Sequence, residues 1–257
     1  MIYGMYLSAQ GADANSVRLD VLSNNMANAN TTSFKRDVPL FRMNPPWDKK
    51  QGNLNPLPGD LDNHTGGISL EAIATDFENG SLIPTEGEFD LAFKGQGFFQ
   101  VGNRQQSFLT RNGSLSVNAD RRLVTADHGM PILSKDGNEI EIPADAVHIG
   151  VSTDGIVTPF DRNGQSLGAV GQLAVMMPAS LDDLVKVGSN LYQTEGRVDP
   201  SKEPVNIQQG FLEASGTNSV EEMMELVSTS RMFESNINMI KLQDESLGRL
   251  LQSMPRR

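Results

Sequence analysis

The sequence has no cysteine and very few histidine or tryptophan residues. Its 257 residues include no Cys, three His and one Trp. Without thiols, disulfide scaffolds, thiolate zinc sites, iron–sulfur clusters and thiol catalysis are excluded. Three histidines leave little room for an imidazole metal site, and we predict no cofactor.

Positive charge is also scarce. There are 21 Lys and Arg residues against 32 Asp and Glu, which gives a formal net charge of −11. A chain this acidic is a poor candidate for binding nucleic acid or an anionic membrane. The excess acid lies in residues 51–210, whereas the two ends are close to balanced. This pattern predicts a solvent-facing middle and packed ends.

Long apolar runs are missing as well. No run approaches the roughly 20 residues that a membrane-spanning helix needs, so we predict no membrane insertion. The segment Met1–Ser8 lacks a basic region followed by an apolar stretch, so we expect no cleaved secretory signal. The chain is expected to be either cytoplasmic or exported by a route that leaves its start intact.

The common catalytic motifs are absent too, including the nucleophile elbow, the HExxH helix and the phosphate-binding loop. Gly95-Gln96-Gly97 lacks the third glycine of a dinucleotide fingerprint, and we interpret it as a turn between strands. Glu86, Glu88 and Asp90 alternate along one predicted strand face, rather than facing each other across a cleft as a glycosidase requires. We therefore predict that the protein is not an enzyme.

Both ends of the chain show a seven-residue apolar repeat. The N-terminal row is Met5, Ala12, Leu19 and Met26. The C-terminal rows are Leu226, Phe233, Ile240, Leu247 and Met254, with Met223, Ser230, Ile237, Asp244 and Leu251 beside them. Such spacing predicts two long amphipathic helices that pair as a coiled coil, with each other or with copies from other molecules.

The middle of the chain has the pattern of short β-strands. Phe89, Leu91 and Phe93 alternate with polar or small residues, and turn dipeptides recur at Asn112-Gly113, Asp136-Gly137, Asp154-Gly155 and Asn163-Gly164. Each dipeptide suits a two-residue hairpin. We therefore predict an α+β fold with a central, mostly antiparallel β-domain that resembles a roll or barrel.

These patterns predict five segments. They are an N-terminal helix over 1–34, an extended linker over 35–86, a β-domain over 87–195, a return linker over 196–218 and a C-terminal helix over 219–257. The two helices together form the predicted coiled-coil domain.

Three blocks of sequence resemble one known family. They are Leu22–Lys35 (LSNNMANANTTSFK), the central GQGFFQV and LTRNG at Gly95–Val101 and Leu109–Gly113, and the C-terminal GFLEAS and RMFE at Gly210–Ser215 and Arg231–Glu234. In order and spacing they are similar to the flagellar basal-body rod and hook protein family.

The resemblance implies a structural subunit of the bacterial flagellum. Such proteins are exported by the flagellar type III pathway without signal cleavage, and they assemble into the periplasm-spanning axial rod that acts as a drive shaft. The implied partners are other copies, other rod and hook-type axial subunits, and the export apparatus. The short length resembles a rod protein, and Arg231-x-Phe233-Glu234 favours the proximal rod subunit over the distal one.

The repeats and the resemblance together predict residues that pack between subunits, with Asn24, Asn25 and Asn28 setting register through hydrogen bonds. The full set is Leu19, Leu22, Asn24, Asn25, Met26, Asn28, Met223, Leu226, Phe233, Ile237, Ile240, Leu247 and Leu251. Three alternatives remain open at this point. The first is the distal rod subunit, which the blocks at Gly95–Val101 and Gly210–Ser215 fit equally well. The other two are an extracellular binding module whose helices dimerise and a cell-wall hydrolase.

Overall fold

The computed structural model describes residues 2–45, 66–103, 106–188, 190–194, 198–200 and 206–253. The chain divides into two compact units. The first unit comprises residues 1–27, 37–75 and 218–257, and the second comprises residues 28–36 and 76–217.

The first unit contains the two long helices and a β-ribbon. Helix α1 runs over Ile2–Ala27 and helix α2 over Ser219–Ser253. Strands β1 (Asp37–Met43) and β2 (Ile68–Thr75) pair antiparallel, from Asp37 opposite Thr75 to Met43 opposite Ile68. Part of the predicted linker 35–86 is therefore a hydrogen-bonded ribbon, while residues 46–65 of that linker lie outside the described residues.

The second unit is built from short strands and one short 3₁₀ helix at Leu181–Asp183. The strands are β3 (Leu82–Pro84), β4 (Leu91–Phe93), β5 (Phe98–Gly102), β6 (Ser107–Thr110), β7 (Leu115–Val117), β8 (Leu123–Thr125), β9 (His148–Val151), β10 (Ile156–Phe160), β11 (Gly171–Gln172), β12 (Val175–Pro178), β13 (Leu184–Gly188), β14 (Leu191–Thr194), β15 (Val198–Pro200), β16 (Ile207–Gln209) and β17 (Phe211–Glu213).

The largest sheet has six strands in the order β13-β14-β6-β5-β12-β15, and neighbours in it are antiparallel. A second sheet has the order β11-β10-β9, and the pairs β16-β4, β17-β3 and β7-β8 form two-stranded sheets. The last strands of the unit thus return to pair with its first strands, β3 and β4. This pairing carries the C-terminal segment back beside the beginning of the unit.

The core of the second unit is aliphatic and phenylalanine-rich. Its larger cluster includes Phe93, Phe99, Val101, Ile132 and Val157, all buried. The Phe93 and Phe99 ring centroids are 4.2 Å apart. A smaller cluster forms around Tyr192, whose side chain is fully buried. Burial of such side chains stabilises the unit by about 1.5–3 kcal/mol each.

One of the predicted hairpin turns has a different role. Asp154-Gly155 does join the paired strands β9 and β10. The strands on either side of Asn112-Gly113 do not pair with each other, because β6 pairs with β5 and β14 while β7 pairs with β8. The Asn112 side chain instead binds the Asp127 carboxylate at 2.6 Å. The hairpin prediction at this dipeptide is therefore wrong.

The predicted coiled coil is wrong. The chain has two terminal helices and a strand-rich centre, and this part of the predicted α+β class fits. On the predicted heptad rows, however, Met223 and Leu251 are 51% and 71% exposed. The buried side of α2 runs instead through Glu222 and Thr229, and the amides of Asn236 and Gln243 lie against α1. Because knobs-into-holes packing needs apolar side chains on both rows, this polar row cannot form a coiled-coil interface.

The central region also differs from a single roll or barrel. Its described strands form one open six-stranded sheet and several smaller sheets, and none of these sheets closes on itself. Most strands have only two to five residues, so frequent turns interrupt the ladder before one continuous sheet can form.

Candidate functional site

A buried carboxylate at the end of β17 joins three distant parts of the chain. The Glu213 side chain is only 2% exposed. It accepts hydrogen bonds from Lys35 Nζ at 2.8 Å, from Arg111 Nε at 2.8 Å and from the Gly80 amide at 2.8 Å. We call Lys35, Arg111 and Glu213 the ion cluster.

Arg111 uses its whole guanidinium group in this cluster. Besides Glu213, it donates to the Gly97 carbonyl at 2.8 Å, to the Gly95 carbonyl, and to Asn79 Oδ1 at 2.6 Å. Gly95 and Gly97 have φ angles of +129° and +144°, which residues with a side chain rarely adopt. The Gly-x-Gly turn therefore serves to aim two carbonyl oxygens at the arginine.

Lys35 completes the cluster from the N-terminal side. Its Nζ also donates to the Glu78 carbonyl at 2.6 Å. Burial lowers the pKa of Lys35, although the hydrogen bond and charge of Glu213 act in the opposite direction. The carboxylate therefore offsets much of the cost of burying this ammonium group.

The Glu213 carboxylate is held in its charged form. Burial alone would raise the pKa of Glu213, but the positive charges and hydrogen bonds of Arg111 and Lys35 outweigh it and lower the pKa below its ordinary value of 4.5. A desolvated carboxylate stays ionised only where such compensation is present.

Backbone hydrogen bonds join the same two chain segments. The Ser33 amide donates to the Glu213 carbonyl at 2.9 Å, and the Gly216 amide donates to the Phe34 carbonyl at 2.8 Å. Ser215 Oγ donates to the Asn28 carbonyl at 3.0 Å. Residues 28–36, which follow α1, are therefore fixed against residues 213–216, which precede α2.

The predicted packing residues of the N-terminal segment have mixed environments. Leu22 and Asn25 are buried, Leu19, Met26 and Asn28 are half-buried, and Asn24 is exposed. Asn25 Nδ2 donates to the Asp37 carbonyl and its Oδ1 accepts from the Asp37 amide, both at 2.9 Å. The Asn25 amide is thus already used within the chain, at the start of β1.

The predicted residues of α2 divide in the same way. Leu226, Phe233, Ile237, Ile240 and Leu247 are half-buried, while Met223 and Leu251 are exposed. The side of α2 turned away from α1 carries further exposed apolar side chains. We call these residues the outer face of α2: Val220, Met223, Met224, Val227, Met232, Met239 and Leu242.

The carboxylates considered for catalysis do not form a site. Asp90 Oδ2 accepts from Thr85 Oγ1 at 2.6 Å, and Glu88 accepts a hydrogen bond from the Ile149 amide. Within the described residues there is no group of His, Asp and Glu side chains that could hold a metal ion. In the same part of the chain, no helix has the length and apolar character needed to cross a membrane.

The segments that contribute to the ion cluster can be compared with known proteins. Three family models match separate segments. "Flagella basal body rod protein" matches residues 5–35, "Flagellar hook protein FlgE/F/G D1 domain" matches residues 92–159, and "Flagellar basal body rod FlgEFG protein C-terminal" matches residues 208–253.

Similarity to curated proteins extends over nearly the whole chain. The flagellar basal-body rod protein FlgG of Buchnera aphidicola subsp. Schizaphis graminum is 31% identical, over 98% of this chain and 100% of its own length. The chain belongs to the flagellar basal-body rod protein family. The FlgG protein of Bacillus subtilis is 30% identical over 98% of each chain, and the FlgF protein of Caulobacter vibrioides is 34% identical over 86% of this chain and 85% of its own.

Family membership confirms the resemblance seen in the sequence motifs. This rod protein is a structural subunit of the flagellar basal body, and its partners are other flagellar components. Each member of the ion cluster lies in a different matched segment: Lys35 in the first, Arg111 in the second and Glu213 in the third. The cluster thus joins one residue from each of the three matched segments.

Sequence reasoning missed the ion cluster. All three residues stand inside the motifs that carry the resemblance, in TTSFK, LTRNG and GFLEAS. A charged residue inside an otherwise apolar or small-residue motif was the available signal, because such a residue is rarely buried unless it is paired. Their partners could not be identified, since Lys35 and Glu213 are 178 residues apart.

Proposed function

We propose that this rod subunit assembles with other copies and with other axial subunits through the outer face of α2. The observation that carries the proposal is the exposure of that face. Val220, Met224 and Leu242 are 63%, 62% and 58% exposed in the single chain. Within this face Met224, Val227 and Met232 line one groove, and an apolar patch on the surface of a soluble protein marks an interaction site.

The amphipathic pattern of α2 supports this assignment. One side of the helix faces α1 through polar and half-buried side chains, and the opposite side carries methionine, valine and leucine. A helix with apolar residues on two sides is typically buried on both. Methionine side chains adapt to irregular surfaces, which suits contacts repeated between subunits.

A shallow groove on this surface gives the contact a defined shape. It is lined by Met224, Val227, Ser228, Arg231, Met232 and Ser235. A repeated, non-self-complementary contact of one subunit with the next generates a helical filament when its rotation does not close into a ring. Association of this kind requires no catalytic group, so we propose a structural role without enzymatic activity.

The residues that the sequence predicted to pack between subunits differ in exposure, and we assign them two different roles. We propose that Leu226, Phe233, Ile237, Ile240 and Leu247 stabilise α2 within the chain, and that Met223 and Leu251 contact neighbouring subunits. Leu19, Leu22 and Met26 of α1 also pack within the chain in this proposal. Asn24, which is exposed, remains a candidate for hydrogen bonds to another subunit, as does the half-buried Asn28.

The span of the relatives supports a proposal for the position in the rod. We propose that the chain occupies the position taken by proteins named FlgG, because the FlgG relatives of Buchnera and Bacillus match it from end to end. The FlgF relative matches a smaller share of both chains. The preference for the proximal rod drawn from Arg231-x-Phe233-Glu234 stays a prediction, as does export through the flagellar type III apparatus without signal cleavage.

The test replaces exposed residues on the outer face of α2 and leaves the contact between α1 and α2 unchanged. Met224→Asp and Leu242→Asp are expected to leave the free energy of unfolding of the purified monomer within about 0.5 kcal/mol, because both sites are exposed. In cells whose only copy is the variant, both changes should abolish swimming and remove the subunit from purified basal bodies. Met224→Leu and Leu242→Met are the matched controls, since they keep an apolar side chain at each site. Motile Met224→Asp and Leu242→Asp strains would contradict the proposal.

A further inference from the structure

The ion cluster is unusual in its charge balance. Two cations, Lys35 and Arg111, lie within hydrogen-bond distance of one carboxylate, and their side chains are 1% and 3% exposed. Asp76 is the other acidic group whose charge acts on Lys35. Burying an uncompensated charge is costly, so the two cations tolerate their positions only while Glu213 is present.

The three charged side chains of the ion cluster come from three different segments of the chain. Lys35 belongs to the segment that follows α1, and Arg111 lies immediately after β6 in the central sheet. Glu213 arrives on β17, which pairs with β3 from Phe211 opposite Pro84 to Glu213 opposite Leu82. The last segment of the second unit therefore supplies the carboxylate that the two earlier segments require.

We propose that docking of Glu213 controls the ordering of residues 28–36, so that the segment leading from α1 becomes fixed only when the C-terminal strand is in place. Before β17 docks, closing residues 28–36 onto the sheet would bury Lys35 beside Arg111 without the carboxylate that pairs with both cations. After docking, Glu213 neutralises one charge and the Ser33 amide gains the Glu213 carbonyl as its acceptor.

This ordering would distinguish complete chains from incomplete ones. In a polypeptide whose C-terminal strand is not yet available, residues 28–36 would lack the Glu213 carboxylate and the Glu213 carbonyl that accepts from the Ser33 amide. The inference concerns the single chain, so it does not depend on the proposed outer face of α2.

The decisive experiment is a charge-balance cycle on the purified full-length monomer. Glu213→Gln leaves two buried cations and should lower the folding equilibrium constant at least about 100-fold. Lys35→Met leaves the neutral Arg111–Glu213 pair and should cost much less. Adding Lys35→Met to Glu213→Gln should raise the folding equilibrium constant at least about tenfold above that of Glu213→Gln alone, because it removes one uncompensated charge. Glu139→Gln, which breaks the partly exposed pair of Arg122 and Glu139 at 2.5 Å, is the control and should change the constant less than about fivefold.

The two outcomes of the cycle are distinct. Restoration by the second substitution supports charge compensation, because a role in packing alone gives additive losses. If the effects of Glu213→Gln and Lys35→Met simply add, the proposal is overturned. If Glu213→Gln alone fails to fold, the comparison still holds, because the proposal then requires the double variant to fold better than that single variant.

Hydrogen exchange during refolding tests the order of events in the unmodified chain. The amides of Thr31 and Phe34 donate to Asn28 and Thr31 carbonyls, bonds that lie wholly within residues 28–36. We expect them to gain protection in the same kinetic phase as the Gly216 amide, or later. Protection of Thr31 and Phe34 in an earlier phase than Gly216 would show that the N-terminal segment orders without the C-terminal strand.

Discussion

Arg111 and Glu213 are 102 residues apart in the chain, yet Arg111 Nε donates to a Glu213 carboxylate oxygen at 2.8 Å where both side chains are nearly inaccessible to water. Buried pairs of this kind do not add much stability over an apolar replacement, but removing one partner alone is severe. The contact therefore specifies which segments meet.

The geometry of Arg111 predicts that a lysine cannot replace it. Arg111→Lys keeps the charge but loses the planar guanidinium group, which donates to Asn79 and to the Gly95 and Gly97 carbonyls at the same time. We expect the free energy of unfolding to fall by about 3–5 kcal/mol, because several buried acceptors lose their donor. Urea denaturation of the purified protein measures this loss.

The control for that substitution is an exposed arginine of the first unit. Arg42 lies 3.4 Å from Glu71, and their side chains are 65% and 49% exposed. Arg42→Lys should change the free energy of unfolding by less than about 0.5 kcal/mol, since exposed ion pairs contribute little. Equal losses of unfolding free energy for Arg111→Lys and Arg42→Lys would show that the buried guanidinium contacts of Arg111 do not contribute more than an exposed ion pair.

The lowered pKa of Glu213 predicts a specific dependence of stability on pH. A carboxyl group with a folded-state pKa below its unfolded value contributes stability above the unfolded pKa and loses it as pH falls through the folded pKa. The contribution should therefore be fully present at neutral pH and decline below about pH 4.5, the ordinary value. Urea unfolding between pH 7 and pH 3 measures the slope.

Glu213→Gln gives the comparison for the pH series. The variant should be less stable at neutral pH and should lose less of its remaining stability on acidification, because the titrating group is gone. The charges that face this carboxylate are those of Arg111 and Lys35. Parallel curves for the two proteins would mean that other carboxylates control the acid transition.

Asn25 should be a structural residue of the first unit. Asn25→Ala removes both hydrogen bonds to the Asp37 backbone and leaves a half-buried amide and carbonyl without these partners. We expect a loss of about 1–3 kcal/mol in the free energy of unfolding. Faster hydrogen exchange at the Asp37 amide would locate the effect at the start of β1.

Asn24→Ala is the neighbouring control, because Asn24 is exposed. It should lower the free energy of unfolding less than Asn25→Ala does and, if Asn24 contacts another subunit, it should also reduce motility. A destabilising Asn24→Ala together with a neutral Asn25→Ala would contradict the assignment of the two amides.

Two helical glycines should respond differently to alanine. A Cβ at Gly248 of α2 meets no atom within 4 Å, so Gly248→Ala should stabilise the helix by about 0.5–1 kcal/mol. At Gly11 of α1 the added Cβ would lie 3.0 Å from Asn236 Nδ2. That crowding should cancel part or all of the same gain. Thermal unfolding monitored by far-ultraviolet circular dichroism compares them, and equal stabilisation would show that α1 and α2 have room to adjust at Gly11.

The sequence alone determined several properties of this protein. The seven-residue repeats located the helices at both ends, because helical periodicity is a local property of the chain. The alternation and turn dipeptides located a strand-rich centre for the same reason. The motifs LSNNMANANTTSFK, GQGFF and GFLEAS identified the family, and with it the structural role in the flagellar rod.

Only the tertiary structure decided which residues meet. Local periodicity cannot specify a partner, so the sequence could not show that α2 turns Asn236 and Gln243 toward α1 and leaves Met224 and Leu242 exposed. It could not show that Asn112-Gly113 falls between strands that pair elsewhere. The pairing of Lys35, Arg111 and Glu213 depends on a return of the chain over more than a hundred residues. Only the folded chain places a buried carboxylate between two cations that cannot be buried without it.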